Sequence, residues 1–400
     1  MMEEHFTVQA ALESWQAELS QLAQDSRKRQ IRTPQATEGP YLWQDGQRLV
    51  NFSGNDYLGL AGDPQIAQGV LARFQELVQT GQLPLWGSTA SRLMAGASPW
   101  HAQLEAELAS FYPGRQALLF NSGWHANTAV LSALAGASDA IFADRWIHAS
   151  LIDGWRLSGA RLYRYHHNEM AHLEELLKRH RGQHKKAFIV TEALFSMEGD
   201  EADLASLIAL KARYEAFLVW DEAHAFGVLG PKGAGVAARD GLSGQVDLTV
   251  GTFGKALASS GAFVAASKLI LEVLIQKSRP LIFSTALPPA SAIVTLFHLA
   301  CEPELVNRRE KLLQLAREFH AQAQQHGWSV PGQSWIAPLI LGSDTKAVQA
   351  AEHCRKAGLS LLPVRPPTVP EGSSRLRLSL RSDMTPDQWA PLWPVLEAFR

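Results

Sequence analysis

The chain has 400 residues, 46% of them hydrophobic, which is enough apolar material for a large folded core and, at about 150 residues each, two or three domains. Lys plus Arg number 37 and Asp plus Glu 39, a net charge of −2, so the basic excess expected of a nucleic-acid or anionic-membrane binder is missing. The two cysteines, Cys301 and Cys354, exclude a disulfide scaffold and a Cys-rich metal site, and no apolar run reaches the roughly 18 to 20 residues that span a bilayer. The acidic start MMEEHFTVQAALESW has no basic-then-apolar signal pattern, so a cytoplasmic enzyme without nucleic-acid or membrane partners is expected.

Val8, Leu12, Trp15, Leu19 and Leu22 recur at helical spacing and predict a helix that packs on the body, with the basic run RKRQIR solvated beyond it. From Asn51 onward short apolar runs alternate with helical stretches. The strand candidates are ALLF (117–120), IFA (141–143), RLYRY (161–165), AFIVT (187–191), AFLVW (216–220), LTVG (248–251) and AFVAA (262–266). HAQLEAELASF, NTAVLSALA, HLEELLKRH and LASLIALKARY are the helices between them. Strands alternating with helices predict an α/β fold with a mostly parallel, seven-stranded, doubly wound sheet, whose functional residues lie at the C-terminal strand ends. After Pro288 and Pro289 a long helical region (290–325) precedes WIAPLIL, a helix near 348–357, LSLLPV and RLRLSL, the pattern of a smaller α+β domain. The expected division is a helical arm over 1–50, a large domain over 51–285 and the small domain over 286–400.

Several motifs fall short. Gly233, Gly235 and Ala238 fit a loose dinucleotide fingerprint but follow no strand directly and have no acidic residue about 20 positions on. GTFGKA lacks the spacer and hydroxyl residue of a P-loop. His166, His167 and His172 have no supporting Cys or carboxylate spacing, so no metal is expected. Asn51-Phe-Ser is a sequon that means nothing without secretion.

Others converge on one chemistry. Asp221 follows a buried strand, with His224 three residues later, and Lys255 follows the next strand beside Gly254. A lysine there is placed to form a Schiff base, and an acid at the neighbouring strand end can keep a pyridine nitrogen protonated. Taken singly, Asp221 could be a helix cap and Lys255 a surface lysine; together they are far less easily accidental. NSGWHANTAVL runs from strand through a Gly turn into helix, so Ser122, Gly123 and Trp124 sit where backbone N–H groups bind phosphate, unless the glycine serves only the turn. His148, in the loop after IFA, could stack on a pyridine ring or simply cap a helix.

With NFSGNDYLGLAG, LFNSGWHAN, ADRWIHASLIDG, TEALFSMEGD, VWDEAHAFGVLG, GTFGKALASSGA, FSTALPP and RPPTVPEGSSRLRLSL, the chain from about Asn51 to Leu380 resembles the α-oxoamine synthases. These are pyridoxal 5'-phosphate (PLP) enzymes with the aspartate aminotransferase fold, the PLP-dependent transferase fold type I. The resemblance implies that Lys255 carries the cofactor, Asp221 pairs with its ring nitrogen, His148 stacks on the ring, and His224 and Ser196 lie near the ring hydroxyl. It places Gly123, Trp124 and Thr252 at the phosphate. It further implies that Ser284 and Thr285 reach the phosphate held by a neighbouring subunit, hence a homodimer. Thr368 and Arg377 match substrate-contact positions, and the N-terminal substrate arginine is Arg29 or Arg27.

Departures from the usual pattern are Trp220, Trp124 and Ser88-Thr89-Ala90. Within the family, RPPTVP and DEAHAFGVLG resemble the members that condense L-alanine with pimeloyl-CoA or pimeloyl-acyl-carrier protein in biotin synthesis. The alternatives are the glycine C-acetyltransferase, 5-aminolevulinate and ketosphinganine reactions. A catalytically silent partner subunit is disfavoured by the retained Lys255, Asp221, His148 and His224.

Overall fold

The computed structural model describes residues 7–82 and 86–399. They fall into two compact units, one of residues 55–313 with 381–383, the other of residues up to 54 with 314–380 and 384 onward.

The larger unit is built on seven strands: β1 (Gln116–Phe120), β2 (Ala140–Asp144), β3 (Arg161–Tyr165), β4 (Ala187–Glu192), β5 (Phe217–Asp221), β6 (Leu248–Thr252) and β7 (Ala262–Ala266). Their spatial order is β1-β7-β6-β5-β4-β2-β3. β7 runs antiparallel to both β1 and β6, while the pairs β2–β3, β2–β4, β4–β5 and β5–β6 are parallel. The seven apolar runs read from the sequence are these seven strands. β2, β4, β6 and β7 are buried at every position, as sheets covered on both faces require. The chain leaves β2 toward β3 on one side and β4 toward β5 on the other, so direction reverses between β2 and β4, and the loops after β2, β4, β5 and β6 open at one sheet edge.

Helices α1 (Gly123–Leu134) and α2 (Ala149–Ser158) pack closely because Gly154 has no side chain. A Cβ there would lie 2.9 Å from the carbonyl oxygen of Asn127. That close approach brings polar residues of the two helices into hydrogen-bonding range.

The smaller unit holds an antiparallel sheet of Ile336–Gly342, Ser374–Ser379 and Pro363–Val364. A second sheet takes Ala36–Glu38, Tyr41–Gln44 and Gln47–Asn51, with Leu359–Ser360 added in parallel. The helix Val8–Gln24 forms, with Thr7 as its N-cap, but none of its residues is buried. Val8 is 80% and Trp15 61% exposed, so among the described residues nothing buries the apolar face of this helix, contrary to the packing expected of it. No helix among the described residues is long and apolar enough to cross a membrane.

Candidate active site

Asp221 ends β5 and is buried. Its Oδ2 accepts Asn127 Nδ2 at 2.7 Å and its Oδ1 accepts the Ala223 amide at 2.9 Å. Asn127 also donates to Ser150 Oγ at 3.0 Å, and Ser150 Oγ lies 2.7 Å from His148 Nδ1. The Ser150 amide donates to the same Nδ1 at 3.2 Å, so that nitrogen is an acceptor and the ring proton belongs on Nε2. Burial lowers the His148 pKa, and the cation of Lys255 adds to that against the opposing pull of Asp221, keeping the ring neutral near pH 7. His148 is therefore both the N-cap of α2 and the end of a hydrogen-bonded chain, His148–Ser150–Asn127–Asp221.

His224, buried in the loop after β5, places Nδ1 2.6 Å from the hydroxyl of Tyr57, which also lies 3.1 Å from Asn55 Oδ1. Lys255 follows β6 in a compact turn held by Phe253 N to Gly261 O, Ser259 N to Phe253 O and Ala258 N to Lys255 O. Thr252, at the end of β6, donates its hydroxyl to Gly261 O at 3.1 Å. A Cβ on Gly123 would stand 3.7 Å from Thr252 Cβ, so the start of α1 and the end of β6 face each other. Ser122 caps α1 through the His125 amide. Trp124 is half-exposed and meets His148 edge to face, ring centroids 5.9 Å apart. Asn121, just before the cap, donates to Ser284 Oγ at 3.1 Å and to Thr285 O at 2.7 Å. Ser196 lies in the turn after β4 closed by Phe195 N to Asp200 O and Gly199 N to Phe195 O.

These residues gather at the ends of parallel strands and in the loops that follow them. An acid backed by two N–H donors and a lysine stand near one neutral imidazole, and the Ser122-capped start of α1 faces a threonine hydroxyl. The N–H groups of α1 suit a phosphate and the acid suits a basic ring nitrogen. The residues present thus fit PLP.

Residues 47–393 match the family described as aminotransferase class I and II. The chain belongs to the class I and II aminotransferase family. Among its relatives is the 8-amino-7-oxononanoate synthase of Chlorobaculum parvum, 43% identical over 383 residues, 96% of this chain and 97% of the relative. A putative 8-amino-7-oxononanoate synthase of Haemophilus influenzae is 43% identical over 371 residues, 92% of this chain and 96% of the relative. Of solved structures, serine palmitoyltransferase from S. paucimobilis with bound PLP and myriocin has a TM-score of 0.89 at 26% identity, covering 98% of this chain and 99% of that one. The 8-amino-7-oxononanoate synthase of Francisella tularensis has a TM-score of 0.71 at 30% identity, covering 88% and 96%.

The strand-end residues of this aminotransferase-family chain, Lys255, Asp221, His148, His224, Ser196 and Thr252, all lie in the larger unit with Gly123, Trp124, Ser284 and Thr285. Arg29, Thr368 and Arg377 lie in the smaller unit. Arg27 is tied by its guanidinium to Asp344 and Glu371, each at 2.6 Å, whereas Arg29 is exposed and carries no such ion pair among the described residues. Thr368 is exposed, and Arg377 is buried in its strand with Nη1 donating to Ser379 Oγ at 2.6 Å.

Three site neighbours escaped sequence reading: Asn127, Ser150 and Tyr57. Their only local signal is that each lies inside a quoted motif. Of the departures, Trp220 is explained: its Nε1 donates to Glu222 Oε1 at 2.7 Å. The same carboxylate accepts the Val236 and Ala237 amides, and burial, outweighing these bonds, pushes it up to about 7. Gly235 (φ +103°) passes so close that a Cβ would lie 2.5 Å from Glu222 Cδ, which accounts for the false dinucleotide fingerprint. Thr89, in the Ser88-Thr89-Ala90 stretch, holds φ +59°, a conformation that favours glycine. His166, Glu169 and His172 come together on the surface, with His166 Nδ1 2.9 Å from Glu169.

Proposed function

We propose that this chain condenses L-alanine with a pimeloyl thioester, of CoA or acyl-carrier protein, to form 8-amino-7-oxononanoate in the cytoplasm as a step of biotin synthesis. The observation that carries this reading is the 43% identity to the Chlorobaculum parvum synthase over 97% of that relative. In the net reaction a bond forms between the alanine Cα and the acyl carbonyl carbon. The thiol leaves, the alanine carboxyl departs as carbon dioxide, and a proton replaces it.

When bound, PLP supplies an aldehyde that captures amines and a protonated ring that draws electrons from the substrate Cα. Lys255 would hold the cofactor between turnovers and serve as the base that takes the Cα proton and later returns one. Asp221, supported by Asn127 and the Ala223 amide, holds the proton on the ring nitrogen. His148, neutral and tethered through Ser150, covers the ring face and keeps water from it. His224, oriented by Tyr57, and Ser196 bond the ring hydroxyl. Gly123, Trp124 and Thr252 take the phosphate at the start of α1.

Arg29, Thr368 and Arg377 meet the substrates. The freedom of Arg29 from the ion pairs that occupy Arg27 supports this choice of arginine. A homodimer is supported by large apolar side chains left in water beside the Ser284–Thr285 segment. Phe283 is 71% and Met94 81% exposed, and the loop of Met94 is joined to that segment by Ala286 N to Ala90 O. In that dimer Ser284 and Thr285 serve the phosphate of the neighbouring subunit.

A visible absorption titration tests the reading. The purified protein carries a PLP band that shifts on adding L-alanine and less with glycine or L-serine. A protein with no such band, or one unmoved by any small amino acid, contradicts it.

A further inference from the structure

Glu192 ends β4 as Asp221 ends β5, and the two are register partners in the parallel pair. Strands so paired lie about 4.8 Å apart and their partnered side chains share a face, so two acids stand side by side. Both are buried, each 3% exposed, and a third buried acid, Glu198, lies near. Two carboxylates at such range in a dry site cannot both carry full charge cheaply, and one of them keeps a proton.

The hydrogen bonds decide which one. Asp221 accepts two N–H groups, from Asn127 and Ala223. Glu192 has no comparable pair of donors, and its Oε1 is buried with no hydrogen-bond partner among the described residues. An ionised oxygen left bare is costly, whereas a protonated one is a donor awaiting an acceptor. Burial, followed by the charge of Asp221, pushes the Glu192 carboxyl well above the usual carboxylate range, against the pull of Lys255.

We propose that Glu192 is a neutral carboxylic acid that donates its O–H to an anionic oxygen of the bound ligand. Its neutrality leaves the negative charge at this strand end to Asp221, which needs it to hold a pyridinium. The acceptor belongs either to the cofactor ring or to the amino-acid carboxylate. The proposal rests on the PLP reading above.

Infrared difference spectroscopy of the holoenzyme, wild type minus Glu192→Gln, tests the charge state near pH 7. A protonated-carboxyl C=O band that shifts in deuterium oxide and is lost in the variant is expected. Absence of that band overturns the proposal. Fluorescence titration with PLP, then with L-alanine, tests the donor. Glu192→Gln, which keeps an N–H donor and no charge, is expected to bind within about threefold of wild type, and Glu192→Ala at least tenfold more weakly. Weakened PLP binding in the alanine variant assigns the acceptor to the ring; weakened alanine binding alone assigns it to the substrate. Equal loss in both variants, or loss in neither, overturns the proposal. Apo-protein circular dichroism shows whether each variant is folded. A wild-type protein that binds no PLP refutes the functional reading instead, and the infrared band of the apo-protein still reports the Glu192 proton.

Discussion

Asn127 Nδ2 lies 2.7 Å from Asp221 Oδ2, although 94 residues separate them. The bond joins the first turns of α1 to the end of β5, and through Ser150 it reaches His148. One amide thus steadies both the acid at the ring nitrogen and the imidazole on the ring face. A hydrogen bond to a charged group contributes about 1.5–3 kcal/mol. Asn127→Leu is therefore expected to weaken PLP binding by roughly ten- to a hundredfold, with a matching fall in kcat, measured by cofactor titration and steady-state kinetics. A variant with wild-type affinity would show that Asp221 does not depend on this donor.

Lys255→Ala is expected to abolish turnover. Borohydride reduction of the wild-type holoenzyme, followed by peptide mapping, is expected to find the pyridoxyl label on Lys255. A label on another lysine would show the assignment to be wrong.

His167 bridges two acids, Asp144 at 3.1 Å and Asp200 at 2.9 Å. Burial lowers its pKa, but the hydrogen bonds to Asp144 and Asp200 and their charges outweigh burial and raise it to about 9. A histidine raised on folding contributes stability fully below its unfolded value of about 6.5 and loses it as pH climbs through the folded value. Wild type is thus expected to melt above His167→Gln by the largest margin below pH 6.5. The margin shrinks from there through pH 9, reflecting a contribution of about 2–3 kcal/mol at most. Thermal melts of both proteins across pH 6–10 check this, and a margin independent of pH would refute it.

Gly235→Ala is expected to destabilise the larger unit by about 2 kcal/mol or more, because it forces φ +103° on an alanine and drives its Cβ into Glu222. Urea unfolding measures it. An unchanged midpoint would mean that the 230–236 turn relaxes freely.

The fold was legible because the sheet is buried on both faces. Runs such as AFIVT and AFVAA carry that burial in consecutive residues, and Asp221 stands out by ending one such strand and Lys255 by following another in the next turn. The support of the site was not legible, because it is made by distant pairs. Tyr57 meets His224 across 167 residues, and Asn127 reads locally as an unremarkable helical residue. Glu192 hides for a related reason: its meaning comes from register with Asp221, which no periodicity encodes. The strands Ala36–Glu38, Tyr41–Gln44 and Gln47–Asn51 are too short for an apolar pattern to declare them. The amphipathic pattern of Val8–Gln24 announced a helix correctly but not what covers its apolar face.

Product formation tests the central claim most directly, with L-alanine, glycine and L-serine each crossed against acetyl, succinyl, pimeloyl and palmitoyl thioesters, and carbon dioxide release and the aminoketone both measured. The expected result is that L-alanine with the pimeloyl thioester has the highest kcat/KM and yields 8-amino-7-oxononanoate with one carbon dioxide per turnover. Faster turnover of glycine with acetyl or succinyl thioester, or of L-serine with the palmitoyl thioester, would contradict it.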